Sequence, residues 1–183
     1  MAHDHESMES ENKKEPEEID HSEHQLESTD MVLEIDLGFK IQLQEVFEQY
    51  LTLVDTLIES NAEKASSSAT NIKTTLDKVD MSLLKGDAHM KWMEHLGIMV
   101  KLLKEIKDTK DIEVQRTAFS LLSDAIYQSI KHFGITGMNA FYQFCPMAND
   151  GKGAFWLSRS EEILNPYYGE SMISCGETRE ELK

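Results

Sequence analysis

Two short sulfur-containing motifs lie in the C-terminal part of the chain. "CPM" contains Cys145 and Met147, and "MISC" contains Met172 and Cys175. The turns between the motifs can bring their sulfur atoms together. A thiolate and a thioether from each motif would form a set of four sulfur ligands, which favours soft cations and Cu(I) above all. The thioether needs no deprotonation, so it binds a metal at mildly acidic pH as well.

A second group of metal-ligating residues occurs in "HMKWM". His89 and Met93 are four positions apart, which places them on one face of a helix, and Met90 lies beside them. If the C-terminal segment docks against this helix, these three residues add a nitrogen or further sulfur ligands to the same site.

Each of these residues also has an ordinary structural interpretation. Cys145 and Cys175 can form a plain disulfide, whose closed loop contributes about 3–4 kcal/mol in the chain-entropy treatment. Met90 and Met93 at helical spacing are typical of a helical core. His89, near a helix start, fits a surface or capping position. The sequence leaves both interpretations open.

The N-terminal residues 1–30 differ in composition from the rest of the chain. They hold eleven acidic residues against two lysines, more than half of the net charge of −16, and almost no apolar side chains. This composition predicts a disordered acidic tail. The tail carries four histidines, and Met-Ala-His at its start presents the nitrogen donors that suit Cu(II) or Ni(II). We interpret these histidines as weak metal scavengers or as a product of cloning.

The sequence as a whole excludes several classes of protein. It has no basic face for nucleic acid, and no apolar run approaches the roughly 18 residues that a transmembrane helix needs. The N-terminus lacks the basic and apolar regions of a secretory signal peptide. The chain is therefore either cytosolic or an extracytoplasmic chain that begins after a removed leader.

Apolar periodicity predicts a mainly α-helical fold. The alternation over residues 31–43 suggests a short strand or extended lead-in. Helical spacing then runs to residue 58, and Asn61, Asp87 and Asp111 are predicted caps of three further helices, with Gly134 as the final stop. Four amphipathic helices with short connections predict an antiparallel four-helix bundle.

Residues 135–183 change to a glycine- and aromatic-rich pattern. Short strands around 141–145 and 153–158 predict a β-hairpin in this appendage. We therefore expect a disordered tail at 1–30 and one domain at 31–183, in which the appendage folds on the helices.

Three stretches resemble a known family in order and spacing: "VDMSLLKGDAHMKWM", "CPMANDGKGAFWLS" and "ILNPYYGESMISCGE". From about Phe39 to Glu177 the chain is similar to a domain of unknown function found alone or attached to periplasmic adaptor (membrane-fusion) proteins of CusB-type heavy-metal efflux systems. The resemblance implies a helical domain, an extracytoplasmic location and a role in copper or silver handling. It also implies metal binding by Cys145, Met147, Met172 and Cys175, and by His89, Met90 and Met93.

Two functions follow as expectations. The first is an extracytoplasmic protein that binds Cu(I), or Ag(I), and passes it to an efflux adaptor or another envelope protein. The alternative is a disulfide-stapled protein-interaction module with no metal role. The sequence contains no nucleophile elbow, no HExxH and no thiol-oxidoreductase CxxC motif, so we do not expect an enzyme.

Overall fold

The computed structural model describes residues 35–183. Over this range the chain is mainly helical and ends in a three-stranded antiparallel sheet. The helices are α1 (Leu37–Ile58), α2 (Ala62–Leu76), α3 (Gly86–Asp108), α4 (Ile112–Phe133) and the short α5 (Ala148–Gly151). The strands are β1 (Ala140–Cys145), β2 (Ala154–Ser158) and β3 (Glu177–Leu182), and two 3-10 turns lie at Met81–Leu83 and Gly169–Met172.

The strand predicted at the start of this region is wrong for residues 37–43, which begin α1; residues 31–34 lie outside the described part. Asp36 caps the helix by accepting a hydrogen bond from the Gly38 amide at 2.7 Å. Phe39 and Leu43 are fully buried, whereas Leu37 and Ile41 are 61% and 46% exposed. The alternating apolar residues thus divide between two faces of a helix, and only the inward set continues at helical spacing.

Two of the predicted caps are confirmed and one is wrong. Asn61 accepts a hydrogen bond from the Lys64 amide at 3.0 Å, and Asp111 accepts from the Glu113 amide at 2.9 Å. Asp87 does not cap α3, because the helix has already begun at Gly86 and Lys85 occupies the N-cap position. Asp87 instead lies in the first turn, where its charge complements the helix dipole.

Large aromatic side chains fill the space between the helices. Each long helix contacts the next one along the chain, and α1 also contacts α4. Tyr50 stacks between Phe47 and Phe119, with ring centroids 5.9 and 5.5 Å away. Near the other end of α1, Trp92 packs edge-on against Phe39 at 5.1 Å. These contacts unite α1, α3 and α4 around one core.

The predicted hairpin of β1 and β2 is confirmed, and it forms part of a larger sheet of order β2-β1-β3. Strand β3 was not predicted, because "ETREEL" carries mostly exposed charged residues. Within residues 35–183 it is an edge strand that pairs with β1 alone, so backbone hydrogen bonds define it rather than an apolar pattern. The sheet packs on α4 and α1 through β2, where the Leu157 amide donates to the Tyr50 hydroxyl at 3.1 Å.

Candidate functional site

The two cysteines meet at the end of the sheet nearest the β1–β2 connection. The Sγ atoms of Cys145 and Cys175 lie 3.1 Å apart, and the two residues are not bonded to each other. Cys145 is buried at the end of β1, and Cys175 is partly exposed just before β3. We call these two side chains the thiol pair.

Different local structures hold the two thiols. Cys145 belongs to β1 and lies opposite Ala154 of β2, so the sheet fixes its position. The Cys175 amide donates to the Met172 carbonyl at 3.0 Å, and the Cys175 carbonyl accepts from the Asn165 side chain at 2.7 Å. Asn165 is fully buried and therefore anchors this turn of the chain to the interior.

Gly176 determines how closely Cys175 can approach the sheet. Its φ is +146°, and a Cβ built on it would lie 2.8 Å from Cη2 of Trp156 and 2.9 Å from the Phe144 carbonyl oxygen. Only a residue without a side chain leaves room for the chain to pass here. The glycine directly after Cys175 is thus required for the thiol pair to form.

Arg116 attaches the C-terminal segment to the helices, a role that its sequence position did not indicate. Its guanidinium is almost fully buried and donates to the Pro166 carbonyl at 2.9 Å, the Leu57 carbonyl at 3.2 Å and the Ser60 hydroxyl at 2.9 Å. In sequence, Arg116 follows Glu113 by three positions and resembles an exposed ion pair. The one available signal was its position on the same helical face as Phe119.

Met147 and Met172, the two predicted thioether ligands, are near the cysteines in sequence. Backbone groups of both residues also contact Cys175. Met172 supplies the carbonyl that fixes Cys175. The backbone of Met147 forms a hydrogen bond with the Cys175 thiol, and its carbonyl accepts from the Tyr168 hydroxyl at 2.6 Å. Met147 is 53% exposed. The segments carrying all four predicted sulfur residues therefore converge at one place.

His89, Met90 and Met93 lie elsewhere. The neighbouring Trp92 contacts Phe133, the last residue of α4, whereas the segment after Cys145 lines the same cavity as Arg116, in the first turns of that helix. Arg116 and Phe133 are 17 residues apart in α4, which corresponds to about 26 Å along the helix axis. The structure therefore separates this group from the thiol pair, and the three residues cannot share one ion with the cysteines.

The exposure of the two methionines of α3 tests the alternative interpretation that they belong to the helical core. Met90 and Met93 are 64% and 46% exposed, so they are not core residues. His89 is half-buried.

A cavity of about 370 Å³ adjoins the segment that follows Cys145; Arg116, Thr117, Ala148, Tyr167 and Tyr168 are among the residues that line it. Asn149 and Asp150, which lie in this segment, both adopt left-handed backbone conformations at φ +53° and +57°. Such conformations cost free energy in residues other than glycine and persist where the surrounding structure enforces them.

The electrostatics of the thiol pair favour a protonated Cys175. The hydrogen bond with Cys145, followed by burial and the electrostatic influence of Cys145, raises the pKa of Cys175, and the Met147 backbone contact partly opposes this. A metal ion or an oxidant must therefore displace a proton. Two thiolates around one ion at metal–sulfur distances of about 2.3 Å are about 3.8 Å apart in tetrahedral geometry, so the pair must open slightly to hold an ion.

Among residues 35–183, no three His, Cys, Asp or Glu side chains are grouped so that they can hold a metal ion. A metal at the thiol pair would need other donors, and the thioethers of Met147 and Met172 are the nearest sulfur atoms in sequence. Over the same residues, no helix is both long and apolar enough to cross a membrane.

Comparison with known proteins identifies one family. No curated protein and no solved structure matches this chain. A family described as "Protein of unknown function (DUF3347)" matches residues 46–137, which is half of the chain. The match includes "HMKWM" and most of the four long helices, and it ends before β1 and the thiol pair. The chain therefore belongs to the DUF3347 family of proteins of unknown function.

Proposed function

We propose that this protein binds a soft monovalent cation, Cu(I) or Ag(I), through Cys145 and Cys175 and passes it to a protein partner. The observation that carries the proposal is the 3.1 Å separation of two unbonded thiols from residues 145 and 175. Thiolates are the protein ligands that soft cations prefer.

The surroundings of the thiol pair support transfer rather than permanent storage. Cys145 is held in the sheet, whereas Cys175 lies in a partly exposed turn that can open to admit an ion. The half-exposed Met147 supplies a thioether at the surface, where a ligand from a partner can replace it. We propose Met147 and Met172 as the completing ligands.

The resemblance to efflux-associated domains supports the finer parts of the proposal. We propose an extracytoplasmic location and an efflux adaptor, or another envelope protein, as the acceptor of the ion. We also propose that the four long helices form an antiparallel bundle, which the contacts between successive helices and between α1 and α4 support. The bundle then serves as the scaffold for the sheet that carries the thiols, and no enzymatic activity is proposed.

The test is an anaerobic titration of the fully reduced, full-length protein with Cu(I) against a chromogenic chelator. We expect one equivalent of Cu(I) to bind tightly, Cys145→Ser and Cys175→Ser to abolish this binding, and Met147→Leu to weaken it by at least tenfold. Met93→Leu is the matched control, because this methionine is similarly exposed but lies on α3, near the end of α4 that is remote from the thiol pair. Equal binding by the wild-type protein and both serine variants would refute the proposal.

A second candidate function is a disulfide-stapled interaction module. A groove of about 490 Å³ between α3 and α4, in which Ile98 and Leu121 are 46% and 54% exposed, favours it. This function predicts a Cys145–Cys175 bond in protein isolated without reductant and partner capture that is independent of copper. Free thiols in such a preparation, or capture only with copper, would contradict it.

A further inference from the structure

Two histidines from different helices meet at the end of the molecule far from the thiol pair. His95 of α3 and His132 of α4 have ring centroids 5.1 Å apart and an interplanar angle of 72°. His95 is buried and His132 is exposed, and both line the groove between α3 and α4. Sequence reasoning did not connect them, because 37 positions separate them.

The hydrogen bonds of these histidines define which nitrogen of each ring carries the proton. Nδ1 of His132 lies 2.7 Å from the Gln128 carbonyl, which can only accept, so Nδ1 is the donor. Nδ1 of His95 lies 2.8 Å from the Ser129 hydroxyl, which donates its own proton to the Ala125 carbonyl. Nδ1 of His95 is therefore also a donor, and with Nδ1 as the donor the neutral form of each ring has a free lone pair on Nε2.

This arrangement matches that of histidines that bind metals. In metal sites, a hydrogen bond from one ring nitrogen orients the imidazole and leaves the other nitrogen to the metal. Two imidazoles that share one ion at metal–nitrogen distances of about 2.0–2.1 Å and a tetrahedral angle have centroids about 5 Å apart. The observed centroid spacing of 5.1 Å, at an interplanar angle of 72°, agrees with this value.

The charges around the pair are compatible with a cation. Burial, followed by the neighbouring His132 and Lys91, lowers the pKa of His95, so its imidazole is neutral near pH 7. Lys91 is paired with Glu94 at 3.0 Å, which offsets its charge. Asp124 and Lys101, which carry opposite charges, also line the groove.

We infer that His95 and His132 form a binding site for a divalent transition-metal ion, with water molecules completing the coordination. Imidazole nitrogens suit Zn²⁺, Ni²⁺ and Cu²⁺ rather than soft monovalent ions. The site is independent of the proposed thiol chemistry, and neither depends on the other.

The test is a Zn²⁺ titration of the full-length protein followed by the ¹⁵N resonances of the histidine rings, which report each site separately. We expect the Nε2 resonances of His95 and His132 to shift together with one dissociation constant. His132→Gln, an exposed substitution that the fold tolerates, is expected to weaken the response of His95 by at least tenfold. Ser129→Ala removes the acceptor that orients His95 and is expected to weaken Zn²⁺ binding by about tenfold.

His89→Gln is the matched control, because His89 lies on the same helix but outside this pair, and it is expected to leave binding unchanged. The inference is overturned if His95 and His132 shift at different Zn²⁺ concentrations, or if neither shifts. It is equally overturned if His132→Gln leaves the response of His95 unaltered. Because the readout is residue-specific, the result does not depend on whether the thiol pair binds a metal.

Discussion

Replacement of Arg116 by methionine tests how the C-terminal segment is held in place. Methionine keeps an unbranched apolar stem but removes the donors to the Pro166 and Leu57 carbonyls and to the Ser60 hydroxyl. The first two acceptors belong to different parts of the chain, one in the C-terminal segment and the other in the last turn of α1. Without Arg116, the segment that leads to Cys175 loses the hydrogen bond that links the Pro166 carbonyl to α4.

The size of the effect follows from these contacts. A hydrogen bond from a charged group contributes about 1.5–3 kcal/mol net, and bonds that share one guanidinium contribute less than their sum because they are not independent. The Glu113 partner is 70% exposed and adds less than about 1 kcal/mol. We therefore expect Arg116→Met to lower the free energy of unfolding by about 2–4 kcal/mol.

The assay is urea unfolding followed by circular dichroism, together with the rate at which a thiol reagent modifies Cys175. Arg159→Met is the matched control, because Arg159 pairs with Asp55 at 2.9 Å while both side chains are 56% exposed. The control is expected to cost less than about 1 kcal/mol and to leave thiol reactivity unchanged. If Arg116→Met costs no more than the control and Cys175 reacts no faster, the anchoring role is refuted.

Three further predictions concern the sheet and the thiol pair. Gly176→Ala introduces a Cβ that overlaps Trp156, so it is expected to destabilise the protein in urea unfolding by about 1–3 kcal/mol more than Gly151→Ala does. Gly151 is the control, because its φ is also positive at +79° but no atom lies within 4 Å of an added Cβ. Equal effects of the two substitutions would contradict the steric argument. The hydrogen bonds from Lys131 and Tyr127 lower the pKa of Glu180, so the stability that this carboxylate contributes is present above its usual pKa and is lost as pH falls through the lower folded-state pKa. Glu180→Gln is therefore expected to lose less stability than the wild type between pH 7 and pH 3, and parallel pH profiles in urea would exclude this contribution. Because the pKa of Cys175 is raised, Cu(I) affinity is expected to fall about tenfold for each pH unit below that pKa if one proton is displaced; a pH-independent affinity in the chelator competition would show that Cys175 is not a ligand.

The sequence by itself determined the features that neighbouring residues control. The caps at Asn61 and Asp111 and the stop at Gly134 depend on a side chain or a backbone conformation within a few positions, and all three are confirmed. The β1–β2 hairpin also follows from a local pattern, two short aromatic-rich runs in a glycine-rich segment. The sequence likewise predicted that Cys145 and Cys175 form either a metal site or a disulfide, and the structure places their Sγ atoms 3.1 Å apart.

Only the tertiary structure decided which distant groups meet. The 3.1 Å separation of the thiols depends on the packing of the sheet and on a turn held by Asn165 and Arg116. The separation of "HMKWM" from the thiols depends on which end of α4 each segment covers, and the meeting of His95 with His132 depends on how α3 and α4 align. Periodicity defines the inward face of a helix but contains no information about which neighbour covers that face or at what height along the axis, because these are set by side-chain packing between segments far apart in the chain.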